Sequence, residues 1–156
     1  MKADELMTPT VTTCSPSDSL EQAAHLMWEG DVGCLVVTDA ERHPVGMLTD
    51  RDVAMAAYTS GARLRDVPVA SAMAHEVRSC STTAPIGEIE SLMQSARIRR
   101  VPVVDSEGRL LGIVTLGDLA RVTQASPLRM AAIPGVARTL ASVTERRRPA
   151  VAAAAQ

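Results

Sequence analysis

Two short stretches carry the same polar signature. GMLTDRD spans residues 46–52, and GIVTLGD spans 112–118. In each, a Gly and two aliphatics lead to a Thr, and an Asp stands three positions after that Thr: Thr49 with Asp52, Thr115 with Asp118. Placed where a strand becomes a helix, such a Thr sits beside backbone N–H groups that lack helical partners and carry the positive end of the helix dipole. A phosphate there gains those donors and the hydroxyl. The Asp lies one turn in. Its carboxylate only accepts hydrogen bonds, and a ribose offers two adjacent hydroxyl donors. Thr for phosphate and Asp for ribose make a nucleotide grip, with charge-assisted bonds of about 1.5–3 kcal/mol each. The Gly leaves room for a base to approach the strand. The same residues also read as a helix cap, Thr at the N-cap and Asp in the first turn, and the two uses are compatible.

The signature is doubled because the chain is. Displaced by 66 positions, residues 7–54 fall on 73–120 without a gap, and thirteen of the 48 pairs are identical. Composition alone gives roughly four. Met7 falls on Met73, Cys14 on Cys80, Val37 on Val103, Asp39 on Asp105 and Gly46 on Gly112.

The elements that position the Thr and Asp follow from period and punctuation. Ser17-Asp18 is expected to cap a helix with Leu20, Ala23, Ala24 and Met27 on one face. GCLVVTD reads as a buried strand, AERHP as a turn and VGMLT as a strand. Asp50 or Thr49 then caps a helix running to about Ser60, before Gly61. The second copy repeats this with IGEIESLMQSA, VPVVD, SEGR, LLGIVT and LGDLARV. Counting short strands at Val11 and Val77, each unit is β-α-β-β-α, an α/β (α+β) class. Helices cover one face of a three-stranded sheet, so two units are expected to pack sheet to sheet about a pseudo-two-fold. The expected divisions are 1–62, 63–124 and a partly helical or disordered tail, 125–156, whose apolar stripe is Val136, Leu140 and Val143.

Composition narrows the function classes. The chain has 156 residues, 46% apolar, with no Phe, one Trp and one Tyr. Aliphatics, Met and Ala must fill the core, and few rings are present to stack on single-stranded bases. Net charge is −2, so no global basic field holds nucleic acid or an anionic membrane. No secretory leader or bilayer-length apolar run is evident, and the expectation is a cytoplasmic protein with reduced thiols. Cys14, Cys34 and Cys80 form no C-x-x-C, and His25, His43 and His75 show no ligand spacing, so no metal is expected. No nucleophile-His-Asp set with elbow features occurs, and the chain is not expected to be an enzyme.

The repeated β-α-β-β-α order, the doubled Gly-x-x-Thr-x-x-Asp and the phrase RRVPVVDSEGRLLGIVT resemble the CBS (cystathionine β-synthase) domain pair, or Bateman module, over roughly residues 3 to 124. The resemblance implies a stand-alone regulatory module that binds adenosine-containing ligands in clefts between its repeats. AMP, ADP, ATP or S-adenosylmethionine would serve as regulatory ligand, with no cofactor required. It also implies a homodimeric disc, paired head-to-head or head-to-tail, that an effector protein reads. Carried over by position, one cleft joins Thr49, Asp50 and Asp52 to Arg78, Ile98, Arg99 and Arg100. The other joins Thr115 and Asp118 to Thr12, Val32, Gly33 and Cys34. Arginines match only the first, which is therefore expected to take the more phosphorylated ligand. Asp50 needs a nearby Arg to offset its charge, and Arg78 stands where the family often has a small aliphatic against the base. The alternative function is a ligand-independent structural or stress-response dimer.

Overall fold

The structure, a computed structural model, describes residues 1–124 and 135–144. After a short helix α1 (Ala3–Leu6), repeat 1 runs β1 (Thr13–Cys14), α2 (Leu20–Glu29), β2 (Cys34–Thr38), β3 (Pro44–Thr49) and α3 (Asp50–Ser60). Repeat 2 runs β4 (Cys80–Ser81), α4 (Ile86–Ala96), β5 (Arg100–Val104), β6 (Leu110–Thr115) and α5 (Leu116–Gln124), and a last helix α6 spans Val136–Thr144. The rest of the expected tail lies outside the described residues.

The cap of α2 is Ser19, not the expected Ser17-Asp18. Ser19 Oγ accepts from the Gln22 N–H, and the Gln22 side chain accepts from the Ser19 N–H. Ser19 has Gln22 three residues on, the spacing at which each side chain reaches the other residue's backbone N–H. Asp18 instead accepts from the Ser15 N–H. Helix α3 is capped by Thr49 and closed by Gly61, whose φ of 62° is the left-handed conformation that glycine adopts without steric cost.

Each sheet has three strands, ordered β1-β2-β3 and β4-β5-β6. The first pair in each is parallel and the second antiparallel, with Cys34 opposite Thr49 and Arg100 opposite Thr115. Leu35 and Val37 pack under α2 and α3 with Leu20, Leu48 and Val53; Val101 and Val103 pack with Ile89, Met93 and Leu119. Burying one such side chain is worth about 1.5–3 kcal/mol. Val36 and Pro102, which point to the opposite face, are buried as well. Strands covered on both sides are expected where two sheets pack face to face.

The repeats also exchange their leading segments. Ala3 and Leu6 belong to the core of repeat 2, and Val67 and Val69 to that of repeat 1. Thr8 bridges Ile113 of β6, and Ala74 bridges Met47 of β3. Each sheet thus gains an edge contact from the other half's leader.

This crossing explains the glycine of the signature differently from the sequence expectation. A Cβ on Gly112 would stand 2.5 Å from Met7 Sδ and 3.0 Å from the Thr8 carbonyl oxygen. One on Gly46 would stand 2.5 Å from Met73 Sδ and 3.2 Å from the Ala74 carbonyl oxygen. The space reserved by each Gly is filled by the other repeat's leader, not left for a base.

Candidate functional site

Both Thr–Asp pairs are built identically. Thr49 Oγ1 donates to Asp52 Oδ2 at 2.6 Å, the Thr49 N–H donates to the same oxygen at 2.8 Å, and the Asp52 N–H returns to Thr49 Oγ1 at 3.2 Å. Thr115 and Asp118 repeat this at 2.6, 2.7 and 3.2 Å. The capping role is thus realised in both copies. It uses Oδ2 alone in each Asp. Oδ1 of Asp118, a residue 7% exposed, pairs with the Arg121 guanidinium.

One cleft between the repeats, of about 300 Å³, collects much of the second predicted set. Thr12, Val32, Gly33, Cys34 and Thr115 line it together with Thr8, Thr10, Val11, Asp31, Ile113 and Arg100. That volume is at the small end of ligand pockets. Repeat 1 supplies the segment after α2, where Asp31 turns the chain with a φ of 48°. Repeat 2 supplies Thr115 at the start of α5. Asp118 lies behind Thr115, in the cap, and does not line the cleft.

Arg100 departs from the expectation that arginines serve the first cleft alone. It lines the second, and its Nη2 lies 4.0 Å from where a Gly33 Cβ would be, with Asp50 Oδ2 3.1 Å from that same point. The reason is register. Arg100 is paired directly opposite Thr115, so its long side chain leaves the sheet at the strand end that opens on α5. Gly33, Arg100 and Asp50 thus converge, and a side chain larger than Gly at position 33 would enter the space between the two charges.

The first predicted set is less gathered. Arg78 is paired with the Glu76 carboxylate at the surface. Arg99 is exposed, and its carbonyl accepts from the Leu116 N–H at 2.9 Å. Ile98 packs on the core of repeat 2. Asp50 faces a different groove, between α2 and α3. Thr8 and Thr10 carry no local sequence signal for the cleft, because only the exchange of leading segments brings them beside Ile113 and Thr115.

The three thiols are free. Cys14 sits in the core of repeat 1 and Cys80 in that of repeat 2, so the pseudo-two-fold does not pair them. Burial pushes each of Cys14, Cys34 and Cys80 up to about 11, away from reactive thiolate. Asp39, Glu41 and His43 form a group with metal-ligand atoms close together. Both ring nitrogens of His43 are already engaged, Nδ1 with Asp39 Oδ2 at 3.0 Å and Nε2 with the Glu107 carbonyl at 3.1 Å. Arg109 holds Asp105 in the same way in the equivalent turn of repeat 2. The trio is therefore a hydrogen-bonded hairpin turn in which His43 stands where repeat 2 has Arg109.

Two βαββα halves with exchanged leaders and a shared cleft define a tandem regulatory-domain architecture. The sequence model of the CBS domain matches residues 3–58 and 64–124, and the chain belongs to that family. CBS domain-containing protein YhcV of Bacillus subtilis is 39% identical over 116 residues, covering 74% of this chain and 81% of YhcV. Hypoxic response protein 1 of Mycobacterium tuberculosis is 34% identical over 119 residues, 76% of this chain and 82% of that one. The crystal structure of Hypoxic Response Protein I with two coordinated zinc ions superposes with a TM-score of 0.71 at 31% identity, over 78% of this chain and 98% of that one. That of CBSX2 in complex with AMP gives 0.70 at 25% identity, over 83% and 98%. No helix among the described residues is long and apolar enough to cross a membrane.

Proposed function

We propose that this chain is a regulatory module of the cytoplasm that binds an adenosine-containing nucleotide between its repeats. As a homodimer it passes that occupancy to an effector protein. The observation that carries the reading is the meeting of Arg100, Thr115 at the α5 N-terminus, three threonines of the leading segment and the side-chain-free Gly33 in one interrepeat cleft. A guanidinium and a helix N-terminus suit a phosphate, and the Thr hydroxyls donate or accept toward a sugar or base edge. The AMP bound by the similar CBSX2 supports adenine as the base. This cleft, with Thr12, Val32, Gly33, Cys34, Thr115 and Arg100, is assigned the phosphorylated ligand, reversing the division drawn from sequence. Thr49, Asp50, Asp52, Arg78, Ile98 and Arg99 form the proposed companion site, where Oδ1 of Asp52 is spare after capping. Asp118 reaches a ribose only if Arg121 is displaced.

Signalling requires the ligand to prefer one arrangement of the repeats, since equal affinity for two arrangements shifts neither. Titration calorimetry with AMP, ADP, ATP and S-adenosylmethionine tests the assignment. Arg100→Ala is expected to weaken the phosphorylated ligands by about 1–3 kcal/mol, or roughly tenfold to a hundredfold. Asp52→Ala should weaken only a second binding event. Affinities within twofold of wild type for Arg100→Ala refute the cleft assignment. A ligand at about 100 times its Kd stabilises the fold by ~2.7 kcal/mol. If none of the four shifts the melting temperature, the ligand-independent stress-response or structural dimer is the correct reading.

A further inference from the structure

The two halves also meet at the far end of the seam, where their hairpin turns touch. The Leu110 N–H donates to the Arg42 carbonyl at 2.9 Å, and the Arg42 guanidinium donates to the Leu110 carbonyl at 3.4 Å. His43 Nε2 faces the Glu107 carbonyl at 3.1 Å. The ring lies over Gly108, where a Cβ would stand 3.3 Å from His43 Cδ2. The strands that leave these turns end at the interrepeat cleft. β6 begins at Leu110 beside the turn and reaches Thr115 in the cleft wall, about 17 Å away at roughly 3.4 Å per residue. β2 starts at Cys34 in the same wall and ends at Thr38 before the other turn.

This contact breaks the repeat symmetry. At the 66-residue offset Arg42 corresponds to Gly108, His43 to Arg109 and Pro44 to Leu110. Leu110 gives its N–H to Arg42, but Pro44 has none to give to Gly108. Gly108 has no guanidinium to send across. Arg109 spends its own within its turn, on Asp105 at 2.9 Å and Glu107 at 2.8 Å. The contact is therefore one-sided, built by the Arg42-His43 turn reaching to repeat 2. Arg42 stands at a φ of 70°, in the conformation that Gly108 takes at 83°. A non-glycine there is strained, and the strain persists only where surrounding contacts hold it. Leu110 holds Arg42 by both its carbonyl and its guanidinium.

We propose that His43 is a proton-operated clasp between the repeats: its imidazolium ties the turn of repeat 1 to repeat 2, and loss of one proton releases the tie. A neutral ring has one N–H for two acceptors. That proton stays on Nδ1, because Asp39 offers a carboxylate at 3.0 Å and Glu107 only a neutral carbonyl. Nε2 then turns a lone pair on the Glu107 oxygen, so the bond that is lost is the one that crosses the seam. No neighbouring charge replaces it. The Glu41 carboxylate lies 3.7 Å from Nδ1, on the Asp39 side. The Asp105 and Glu107 carboxylates are held by Arg109, and the Arg42 guanidinium by Leu110. The ring is 35% exposed, so protons reach it from solvent. Its hydrogen bond to Asp39 holds it above the ordinary imidazole value, so the clasp is closed below about pH 6.5 and opens as pH rises through the folded value. Clasp and cleft lie at opposite ends of the same strands. Release at the turns therefore frees the repeats to tilt at the cleft, whatever occupies it, and the device does not rest on the nucleotide reading.

Hydrogen exchange of single amides, followed by NMR on the full chain without ligand between pH 6 and pH 8, tests the clasp. The Leu110 amide, on a residue 1% exposed, reports the crossing. The Gly108 and Arg42 amides donate to Asp105 and Asp39 within their own turns, at 3.1 Å each, and report the turns. Leu110 protection, corrected for intrinsic exchange, should fall roughly threefold or more as His43 loses its proton, while Gly108 and Arg42 keep theirs. The Gly33 and Thr115 amide resonances in the cleft wall should move with the same midpoint. His43→Arg copies repeat 2, where the cation stays within its own turn. It should keep both turns intact, with Leu110 protection low and the cleft resonances fixed at every pH. Wild-type Leu110 protection that does not change, or that falls equally in His43→Arg, overturns the proposal. So does a midpoint that follows the His25 or His75 imidazole instead of His43, and so do cleft resonances that stay fixed in wild type.

Discussion

Gly112→Ala separates the two roles that a strand glycine in this signature can have. If the glycine exists for a bound base, alanine harms binding and leaves the fold intact. The structure says otherwise. The new Cβ would lie 2.5 Å from Met7 Sδ, 2.9 Å from Met7 Cγ and 3.0 Å from the Thr8 carbonyl oxygen. The Met7 side chain can swing away, but Thr8 cannot. Its N–H donates to the Ile113 carbonyl at 2.9 Å, and its carbonyl accepts from the Ile113 N–H at 3.1 Å. Overpacking of this kind costs about 1–3 kcal/mol. Alanine restricts the unfolded chain and returns about 0.4–1 kcal/mol, so a net loss of about 1–2 kcal/mol is expected. For a chain of this size that is a fall in Tm of roughly 2–8 °C. Gly46→Ala should cost less, because its nearest backbone atom stands at 3.2 Å. Urea unfolding of the single variants, of Met7→Ala and of the double variant measures the coupling, expected at about 1 kcal/mol in the direction of rescue. Gly112→Ala with wild-type stability and no ligand binding would falsify the crossing account of this glycine.

Two further outcomes concern titrating groups. Burial raises the Glu90 carboxyl above the usual carboxylate range, with Arg138 opposing in part, and its Oε1 has no hydrogen-bond partner among the described residues. A carboxyl raised in the fold favours folding when protonated, and that stability is lost as pH rises through the folded value. Glu90→Gln should therefore be more stable than wild type at pH 7–8, by about 1 kcal/mol, with the gap closing in acid. The His43 imidazole is held above its usual value, chiefly by its hydrogen bond to Asp39, with the Glu107 carbonyl adding to the effect. Only the imidazolium can donate to both oxygens at once. Its contribution is full below about pH 6.5 and fades as pH rises through the folded value. Urea midpoints of wild type and His43→Gln should differ more at pH 6 than at pH 8, and an equal difference at both excludes this role.

Much of the architecture is legible because it is periodic. The 66-residue offset places Gly46 on Gly112, Thr49 on Thr115 and Asp52 on Asp118, and the structure gives both triplets the same register and the same cap. IGEIESLMQSA is helical from its first residue to its last. Ser17-Asp18 offers the same capping atom types as Ser19, two residues earlier. What distinguishes it is Gln22, whose side chain closes the pair. Position in the repeat points Arg100 to one cleft, and its strand register brings it to the lining of the other.

The sequence by itself determined the repeat, the strand-to-helix junctions and the Thr–Asp caps, because each depends on residues a few positions apart. Tertiary structure decided which half each leading segment completes, that Met7 and Met73 fill the space over the signature glycines, and that α6 covers one helical groove while its twin stays open. Those outcomes join residues far apart in the chain, from Gly46 with Met73 to Met7 with Gly112. They turn on side-chain volume and polar pairing across a seam, quantities that no local spacing encodes.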